Sequence, residues 1–232
     1  MIKNLKRNEL TTLDENDDLL NTLNDEEKSM AIYLNKVILH DPLKISIRES
    51  FTNNFLDYLL NKLEFNTYPF VLNLQPKYSF DADTTRIVSR PDFSVEKYAD
   101  KQICLIILDE TKHVNNIKLE NEFGECHLAG DLIAAAFTNY SQPFSKKFFR
   151  DQTLYAIRVI GTRFTFYKCH VKMSYLSELE KENVSPFETL NISRYPADDY
   201  GDIQFGYDYS NSLHRVLIIE LLMQLKEQIR KM

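Results

Sequence analysis

The sequence has no tryptophan, and it has only 5 glycines and 3 cysteines among its 232 residues. The cysteines, Cys104, Cys126 and Cys169, stand far apart in the chain. Their spacing excludes a zinc site built on cysteine pairs, and their odd number argues against a disulfide framework. Unpaired cysteines of this kind favour a reducing, intracellular compartment.

Long hydrophobic runs are also lacking. No apolar run approaches the roughly 20 residues that a membrane-spanning helix needs, and the first residues lack the apolar core of a signal peptide. We therefore expect no membrane partner. The content of 44% hydrophobic and 27% charged residues is that of a globular protein with a substantial core, which excludes a wholly disordered chain.

The chain divides into an arm and a domain. Residues 1–25 are polar and acidic with little apolar periodicity, so we expect a mobile acidic arm with one short helix near 18–23. Residues 26–232 contain no repeat and no glycine–serine linker, and we expect them to form a single domain.

Apolar spacing within that domain predicts both helices and strands. The predicted helices cover 26–39, 46–63, 116–140 and 212–231, with a short helical turn at 175–179. The predicted strands cover 66–75, 87–95 and 103–113, followed by a hairpin of 152–160 and 163–171. Two polar stretches, one starting at 81–83 and one at 185–209, are predicted to be loops. These elements predict an α/β fold: a central mixed sheet of about five strands with helices on its faces.

The strand that begins at Ile103 carries the most informative residues. Its apolar run is typical of a strand buried on both faces, yet it ends in Asp109, Glu110, Thr111 and Lys112. Side chains alternate along a strand, so Glu110 and Lys112 share one face. Because unpaired buried charge is costly, this ending indicates a functional role.

Asp92 is the candidate for a second carboxylate. It follows Pro91 on the preceding predicted strand, and neighbouring strands would bring it beside Glu110. Two carboxylates form a hard oxygen site suited to Mg²⁺ or Mn²⁺, and the backbone carbonyl of Thr111 would add a ligand. Such a metal polarises a phosphodiester and lowers the pKa of bound water, while Lys112 would hold or activate that water.

With Pro91-Asp92 on one strand and Glu110-x-Lys112 on the next, the chain resembles the PD-(D/E)xK nuclease superfamily. The resemblance covers roughly 45–172 and implies a restriction-endonuclease-like core. It also implies that the aspartate and the glutamate bind metal and that the lysine assists the nucleophile.

Two further elements of that superfamily are compared by position. An acidic residue on an early helix often joins the site, and Glu49 stands in that place. A Glu-x-Gln-like element often follows the lysine. Here Glu125-Cys126-His127 has histidine in the glutamine position, which is a departure from the pattern.

Three stretches resemble, more narrowly, the nuclease-type domains of fungal crinkler-like effectors. They are Ser-Arg-Pro-Asp-Phe at 89–93, Gly-Glu-Cys-His-Leu-Ala-Gly-Asp at 124–131 and Phe-Thr-Phe-Tyr-Lys at 164–168. This resemblance implies an intracellular nucleic-acid target, in the nucleus of a host if the protein is an effector.

The net charge of −6 is unevenly distributed. Acidic residues concentrate near the start and after residue 177, whereas 144–172 holds seven basic residues and one acidic residue. Phosphate contact depends on a local basic face and not on the net charge. We expect the phosphates to be contacted by Lys146, Lys147, Arg163 and Lys168.

Several of these residues also have a structural explanation that requires no function. Glu49 lies three residues after Ser46, which is the spacing of a helix capping box. Asp109 is either a supporting acid or a metal ligand in its own right. A surface position is the simplest role for His113, and a packed, hydrogen-bonded histidine is the commoner fate of His127.

The hairpin and the motif have plain alternatives too. The charges of the hairpin would be explained by a solvated sheet face. Its aromatic residues Phe164, Phe166 and Tyr167 could stack on bases, but packing within a hairpin is commoner. The motif carboxylates and lysine would form an inert ion-pair cluster if the fold had lost its activity.

The sequence thus predicts a metal-dependent endonuclease, acting on DNA more readily than on RNA. Asp92, Glu110 and Lys112 are its main residues, with Glu49 and Glu125 as secondary candidates. The alternative is an inactive module of the same fold that binds nucleic acid or a host protein as an effector. A sugar or nucleotide hydrolase with paired carboxylates is a third class, disfavoured by the lack of a glycine-rich phosphate loop. The sequence predicts no oligomeric state.

Overall fold

The computed structural model describes residues 2, 4–14, 18–40, 49–82, 85–99, 101–109, 125–141, 151–181, 189–197 and 206–232. These residues form an α/β fold in which a seven-stranded mixed sheet is flanked by helices. The predicted fold class is therefore confirmed, while the restriction-endonuclease-like character of the core stays a prediction.

Helices and strands are numbered in chain order. The described helices are α1 (Arg7–Thr11), α2 (Asp18–Asn21), α3 (Asp25–Leu39), α4 (Glu49–Lys62), α5 (Glu125–Ser141), α6 (Met173–Glu180) and α7 (Ser212–Lys231). The described strands are β1 (Phe70–Leu74), β2 (Tyr78–Ala82), β3 (Thr85–Ser89), β4 (Phe93–Lys97), β5 (Gln102–Asp109), β6 (Gln152–Ile160), β7 (Arg163–Val171), β8 (Ile192–Tyr195) and β9 (Tyr207–Asp208).

The main sheet has the strand order β1-β4-β5-β6-β7-β8, and β9 also pairs with β7. The pairing of β5 with β6 is parallel, and every other pairing described in this sheet is antiparallel. Parallel neighbours need a crossover connection, and α5 lies in the connection between β5 and β6. The strands β2 and β3 form a separate hairpin.

The two faces of the sheet support two hydrophobic clusters. One face, here called the α7 face, is covered by α1, α3, α4 and α7. The other, here called the α5 face, is covered by α5, α6 and the β2–β3 hairpin. Strand β5 contributes to both, with Leu105 and Ile107 on the α7 face and Ile106 and Leu108 on the α5 face. Burying each such side chain contributes about 1.5–3 kcal/mol.

A buried amide joins α5 to the start of β5. Asn139 is 1% exposed; its Oδ1 accepts from the Ile103 N–H at 2.8 Å, and its Nδ2 donates to the Ile103 carbonyl at 2.9 Å. The same Nδ2 lies 3.0 Å from the Gln152 Oε1, and the Gln152 Nε2 donates to the Ala136 carbonyl at 3.2 Å. One asparagine therefore satisfies backbone groups of β5 and aligns α5 with the start of β6.

Asparagine caps set the starts of two long helices. The Asn24 Oδ1 accepts from the Glu27 N–H at 3.0 Å, and the Glu27 carboxylate accepts from the Asn24 N–H at 3.4 Å, which is a capping box for α3. The Asn211 Oδ1 accepts from the N–H groups of Leu213 and His214 at 2.9 and 3.3 Å at the start of α7.

The N-terminal segment lies on the core, although the sequence predicts a mobile arm there. Ile2, Leu5 and Leu10 are buried in the cluster of the α7 face. The Leu10 carbonyl accepts from the Asn35 Nδ2 at 2.7 Å, and the Ile2 carbonyl accepts from the Arg215 Nη1. Single apolar residues spaced irregularly among acidic ones give no periodic signal, which is why the sequence pattern does not reveal this packing.

The half-buried carboxylate of Asp208 connects α1 to the segment before α7. The Asp208 Oδ2 lies 2.6 Å from the Arg7 Nη1, and its Oδ1 accepts from the Thr162 hydroxyl at 2.7 Å. The Ser210 N–H and hydroxyl also donate to Oδ1, at 2.9 and 2.7 Å. Burial alone would raise the pKa of Asp208, but the hydrogen bonds from Thr162 and Ser210 outweigh it and hold the pKa below its ordinary value.

Most of the predicted elements are confirmed. The helices α3, α6 and α7 and the β6–β7 hairpin match their predicted ranges within about two residues. Strand β5 matches the predicted start of its range, and residues 110–113 of that range lie outside the described residues. Strand β1 and helix α4 lie inside longer predicted ranges, and α5 starts within its predicted range and ends one residue beyond it. Residues 41–48 and 110–124, which include the predicted Ser46 cap, lie outside the described residues.

Three predictions of strands and loops are wrong. The strand predicted over 87–95 is two strands in two sheets, because β3 ends at Ser89 and β4 begins at Phe93. Pro91 between them has no N–H to donate to a ladder. The loop predicted from Asp81 is part of β2, where Asp81 pairs with Arg86 across the hairpin. The region 185–209 holds β8 and β9, so the described residues form a sheet of seven strands and not five.

Replacing Asn139 with alanine should lower the free energy of unfolding by about 2–4 kcal/mol, because buried groups of Ile103 and Gln152 lose their partner. Urea unfolding followed by circular dichroism measures the change. The control is Ser141→Ala at the exposed end of the same helix, expected to change stability by less than about 0.5 kcal/mol. Equal effects of the two substitutions would contradict the role given to Asn139.

The substitution Asp208→Asn should cost about 1–3 kcal/mol at neutral pH, because its hydrogen bonds favour the charged carboxylate. A folded-state pKa below the unfolded value gives stability that is present above the unfolded pKa and lost as pH falls through the folded pKa. The difference from wild type should therefore shrink in acid, as urea unfolding across a pH series would show. Asp81→Asn, an exposed control, should show little difference at any pH. A constant difference for Asp208→Asn would argue against the charge as its origin.

Candidate functional site

Asp92 lies at the sheet edge where β4 begins. Its side chain is half-buried, and its carbonyl accepts from the Gln75 N–H at 2.8 Å, which extends the β1–β4 ladder by one residue. Phe93 and Val95 belong to the cluster of the α7 face. Because side chains alternate along a strand, Asp92 is placed with Ser94 on the α5 face.

The start of β4 lies beside the end of β5. These strands are antiparallel, and Phe93 pairs with Ile107. Asp92 therefore stands at the level of Leu108, near the point where β5 ends at Asp109. Glu110, Thr111, Lys112 and His113 follow directly in the chain and lie outside the described residues. The predicted convergence of Asp92 with Glu110 therefore stays a prediction.

The β2–β3 hairpin is joined to β4 next to this edge. The Tyr78 hydroxyl donates to the Ser94 Oγ at 2.7 Å, and both residues are buried. Burial raises the pKa of Tyr78 to about 12, so this hydroxyl remains a donor. The hydrogen bond fixes the hairpin over the α5 face two residues from Asp92.

A buried arginine, Arg158, is the cross-strand neighbour of Leu108 on β6. Leu108 pairs with Arg158 on β6, and Arg158 pairs with Thr165 on β7. Arg158 is only 1% exposed and Thr165 is fully buried. Tyr167 belongs to the cluster of the α5 face, and Thr165 lies two residues before it on β7, so Thr165 points to the same face. Arg158 is the cross-strand partner of Thr165 and therefore also lies on the α5 face. A positive charge is thus held in the core on the face predicted for Asp92.

The sequence prediction of a solvated basic face does not apply to Arg158. Every other residue from Leu154 to Ile160 is apolar and buried. A strand with this pattern is covered on both faces, so a single arginine within it has no exposed face to occupy. The apolar neighbours were the signal in the sequence that could have identified a buried cation.

Glu125, the first residue of α5, is held by two groups of the outer strands. Its Oε1 accepts from the Tyr167 hydroxyl at 2.8 Å and lies 3.3 Å from the Arg194 Nε. Tyr167 and Arg194 pair with each other across β7 and β8. The carboxylate therefore anchors the first turn of α5 over the α5 face.

Electrostatics at this anchor favour a neutral tyrosine. Burial raises the pKa of Tyr167, the charge of Arg158 acts in the opposite direction, and the Glu125 carboxylate raises it further. The Tyr167 hydroxyl therefore stays a hydrogen-bond donor to Glu125. Residues two apart on a strand are about 7 Å apart, so this cluster lies one level from the buried Arg158.

The other predicted residues are dispersed. Glu49 is the first residue of α4, and its carboxylate lies outside the described part of the chain, as do Lys146 and Lys147. Arg163 and Lys168 both lie on β7, five residues apart. Alternation places them on opposite faces of the sheet, with Lys168 on the α7 face. A single phosphate-binding face made by both residues does not follow from this placement.

The histidine and the cysteines of the motif region have different environments. His127 and Cys126 are exposed on the first turn of α5, so His127 is not packed as expected. Cys104 and Cys169 are buried in the sheet as free thiols. Burial raises the pKa of Cys169 to about 11, which is consistent with a structural thiol.

The donor set near the sheet edge fits a metal only in part. Asp92 offers one hard oxygen ligand of the kind that Mg²⁺ prefers. Among the residues that the structure describes, no group of three or more His, Cys, Asp and Glu could hold a metal ion. The remaining ligands predicted from the sequence, Glu110 and Thr111, lie outside those residues.

No protein-family model and no curated protein matches this chain. The resemblance to PD-(D/E)xK nucleases and to crinkler-like effectors therefore remains a prediction from the motif residues. Within the described ranges, no helix is long and apolar enough to cross a membrane.

A double-mutant cycle measures the anchor of α5. Glu125→Ala removes the acceptor and Tyr167→Phe removes the donor of this hydrogen bond. We expect a coupling energy of about 1 kcal/mol between the two substitutions, because the bond joins a charged acceptor to a buried donor. Unfolding of the wild type, the two single variants and the double variant gives this energy. Strictly additive effects would show that the contact contributes nothing to stability.

Proposed function

We propose that this protein is a metal-dependent nuclease that hydrolyses phosphodiester bonds. The observation that supports the proposal is the register of β4 against β5, in which Phe93 pairs with Ile107. It brings Asp92 to the sheet edge at which β5 ends, and Glu110 and Lys112 follow β5 directly in the sequence. The predicted site residues thus come from two neighbouring strand ends.

Asp92, Glu110 and the carbonyl of Thr111 would hold the metal, a hard cation such as Mg²⁺ or Mn²⁺. A bound cation of this kind supplies Lewis-acid polarisation of the scissile phosphate and a more acidic water. The half-buried position of Asp92 suits this role, since partial removal from water strengthens the attraction of a carboxylate for a cation.

The cationic side chains would act on the substrate and on the nucleophile. Lys112 would orient the attacking water and stabilise negative charge near it. The charge of the buried Arg158 lies in the core on the face predicted for Asp92, where it would attract a phosphate and would not assist the binding of a cation. Lys146, Lys147 and Arg163 are the candidates for phosphate contacts along the strand, a contribution that weakens with salt.

The alternative function is a non-catalytic module that binds nucleic acid or a host protein. It is favoured by the ion pair of Glu125 with Arg194 and its bond from Tyr167, because a carboxylate held in this way serves packing. The two functions differ in one measurable respect, which is the cutting of a nucleic acid.

Purified protein should cut plasmid DNA or single-stranded RNA in the presence of Mg²⁺ and should stop cutting in EDTA. Lys112→Ala should lower the rate by at least about 100-fold, the usual contribution of a group that assists proton transfer. Asp92→Asn should lower it as well, because a neutral amide is a weak metal ligand. Gel-based cleavage assays with both substrates measure these rates and show which nucleic acid is preferred.

Two exposed residues away from the sheet edge provide matched controls. Lys181→Ala removes a lysine and Asp81→Asn neutralises an aspartate, and both positions are exposed. Both variants should cut like the wild type. Cutting that persists in EDTA, or equal cutting by Lys112→Ala, would contradict the mechanism. Salt-sensitive binding without cutting would favour the non-catalytic module.

A further inference from the structure

A pocket of about 190 Å³ lies on the α7 face, on the side of the sheet away from Arg158 and Glu125. The strands β6, β7 and β8 form its floor, and α7 forms its wall. The side chains that matter for its chemistry are Tyr155, Phe166, Lys168, Tyr195, Gln224 and Gln228. The proposed nuclease site uses none of them, since Lys168, which the sequence assigned to phosphate contact, lies on the opposite face of β7 from Arg163.

Cross-strand pairing arranges the floor in two levels. Lys168 pairs with Tyr155 on β6 and with Ser193 on β8. One level further along, Phe166 pairs with Tyr195. The floor therefore has a polar end with a cation and an aromatic end with two rings.

The helical wall presents one face to this floor. Leu221, Gln224, Leu225 and Gln228 line the pocket and recur at the three- and four-residue spacing of a single helix face. The Gln228 Oε1 accepts from the Tyr155 hydroxyl at 2.8 Å, which leaves its amide nitrogen as a donor. The pocket is therefore a slot between the sheet and α7, and its shape is suited to a planar ligand.

Aromatic surface at the mouth is open to a ligand. Tyr195 is 42% exposed, although burying an aromatic ring is favourable. Its ring lies 5.7 Å from that of Tyr207, which supports it from one side. Phe166 is half-buried beside it. Rings held in this way are platforms on which a base can stack.

The charge of the lining favours an anion. Lys168 is exposed, and the pocket has no aspartate or glutamate among its lining residues, all of which the structure describes. An aliphatic ligand could not pair with the ammonium of Lys168 or form a hydrogen bond with the amide of Gln224. A ligand with a planar ring, a hydrogen-bonding edge and a phosphate would use all three features.

We propose that this pocket binds an adenine nucleotide, with the base against Phe166 and Tyr195 and the phosphate on Lys168. A glutamine amide can donate to N7 and accept from the N6 amino group of adenine, and Gln224 is exposed on the wall of the slot for this purpose. This binding is independent of the proposed nuclease activity and requires no metal.

Isothermal titration calorimetry of the full chain in EDTA tests the proposal with AMP, adenosine and inosine monophosphate as probes. AMP should bind saturably. Adenosine should bind more weakly because it lacks the phosphate, and inosine monophosphate because it lacks the N6 amino group. Competition between AMP and a short oligoadenylate shows which form of the nucleotide the pocket prefers. Stronger binding by the oligomer indicates the end of a nucleic-acid strand, and stronger binding by AMP indicates the free nucleotide.

Variants locate the binding. Tyr195→Ala should weaken AMP binding by between about 5-fold and about 100-fold, the range for loss of one stacking platform. Lys168→Ala should reduce the affinity for AMP to that for adenosine, and Gln224→Ala should abolish the preference over inosine monophosphate. All three side chains are exposed, so the variants should fold, as circular dichroism would verify.

Tyr98→Ala and Lys181→Ala are the controls, since Tyr98 is an exposed tyrosine and Lys181 an exposed lysine outside the pocket. Both should bind AMP like the wild type. Absence of saturable AMP binding by the wild type overturns the proposal. Binding that Tyr195→Ala and Lys168→Ala leave unchanged overturns it as well, because the nucleotide would then bind elsewhere.

Discussion

The parallel pairing of β5 with β6 is the constraint on which the layout of this protein depends. A hairpin cannot connect parallel neighbours, so the chain between them must cross over one face of the sheet. That crossover carries α5, and α5 covers the face on which Arg158 and Tyr167 lie. Asn139 fixes the far end of the helix to the start of β5, and Glu125 fixes its first turn to the outer strands. Helix α5 is therefore held at both ends, which fixes its position over the α5 face of the sheet.

Arg158 is a buried charge in this arrangement. Taking an ion out of water costs several kcal/mol, and an apolar residue at the same place would be free of that cost. The strand around it is apolar throughout, so packing gives no reason for an arginine there. Carboxylates at the neighbouring strand ends would offset the charge, and a phosphate would do so more strongly. The charge of Arg158 also acts on the Tyr167 hydroxyl, where it opposes the rise in pKa that burial causes.

The sequence predicts the elements that packing defines most strongly. Strand β5 and the β6–β7 hairpin are recognisable because burial imposes a continuous or alternating apolar pattern. Strands β8 and β9 are missed because two- and four-residue strands have too few residues to show a period. The division at Pro91 is missed because a proline permits either an edge strand or a break, and only the register of β4 against β5 decides between them. For the candidate site, the sequence predicts that Asp92 lies beside the end of β5, because the two strands are neighbours. It assigns Arg163 and Lys168 to the same phosphates, although alternation along β7 places them on opposite faces of the sheet.

The contacts of Ile2 have a consequence for biosynthesis. Its carbonyl is bound by Arg215, and Arg7 is paired with Asp208, so the first turn of the chain is completed by residues made near the end. During translation Asp208 and Arg215 emerge more than 200 residues after Arg7 and Ile2. Helix α3, which packs against α1 and whose Asn35 binds the Leu10 carbonyl, emerges soon after the N-terminal segment. The bonds of Ile2 and Arg7 can therefore form only after residues 208–215 have been synthesised. A chain released before residue 215 would keep its first residues without their final contacts.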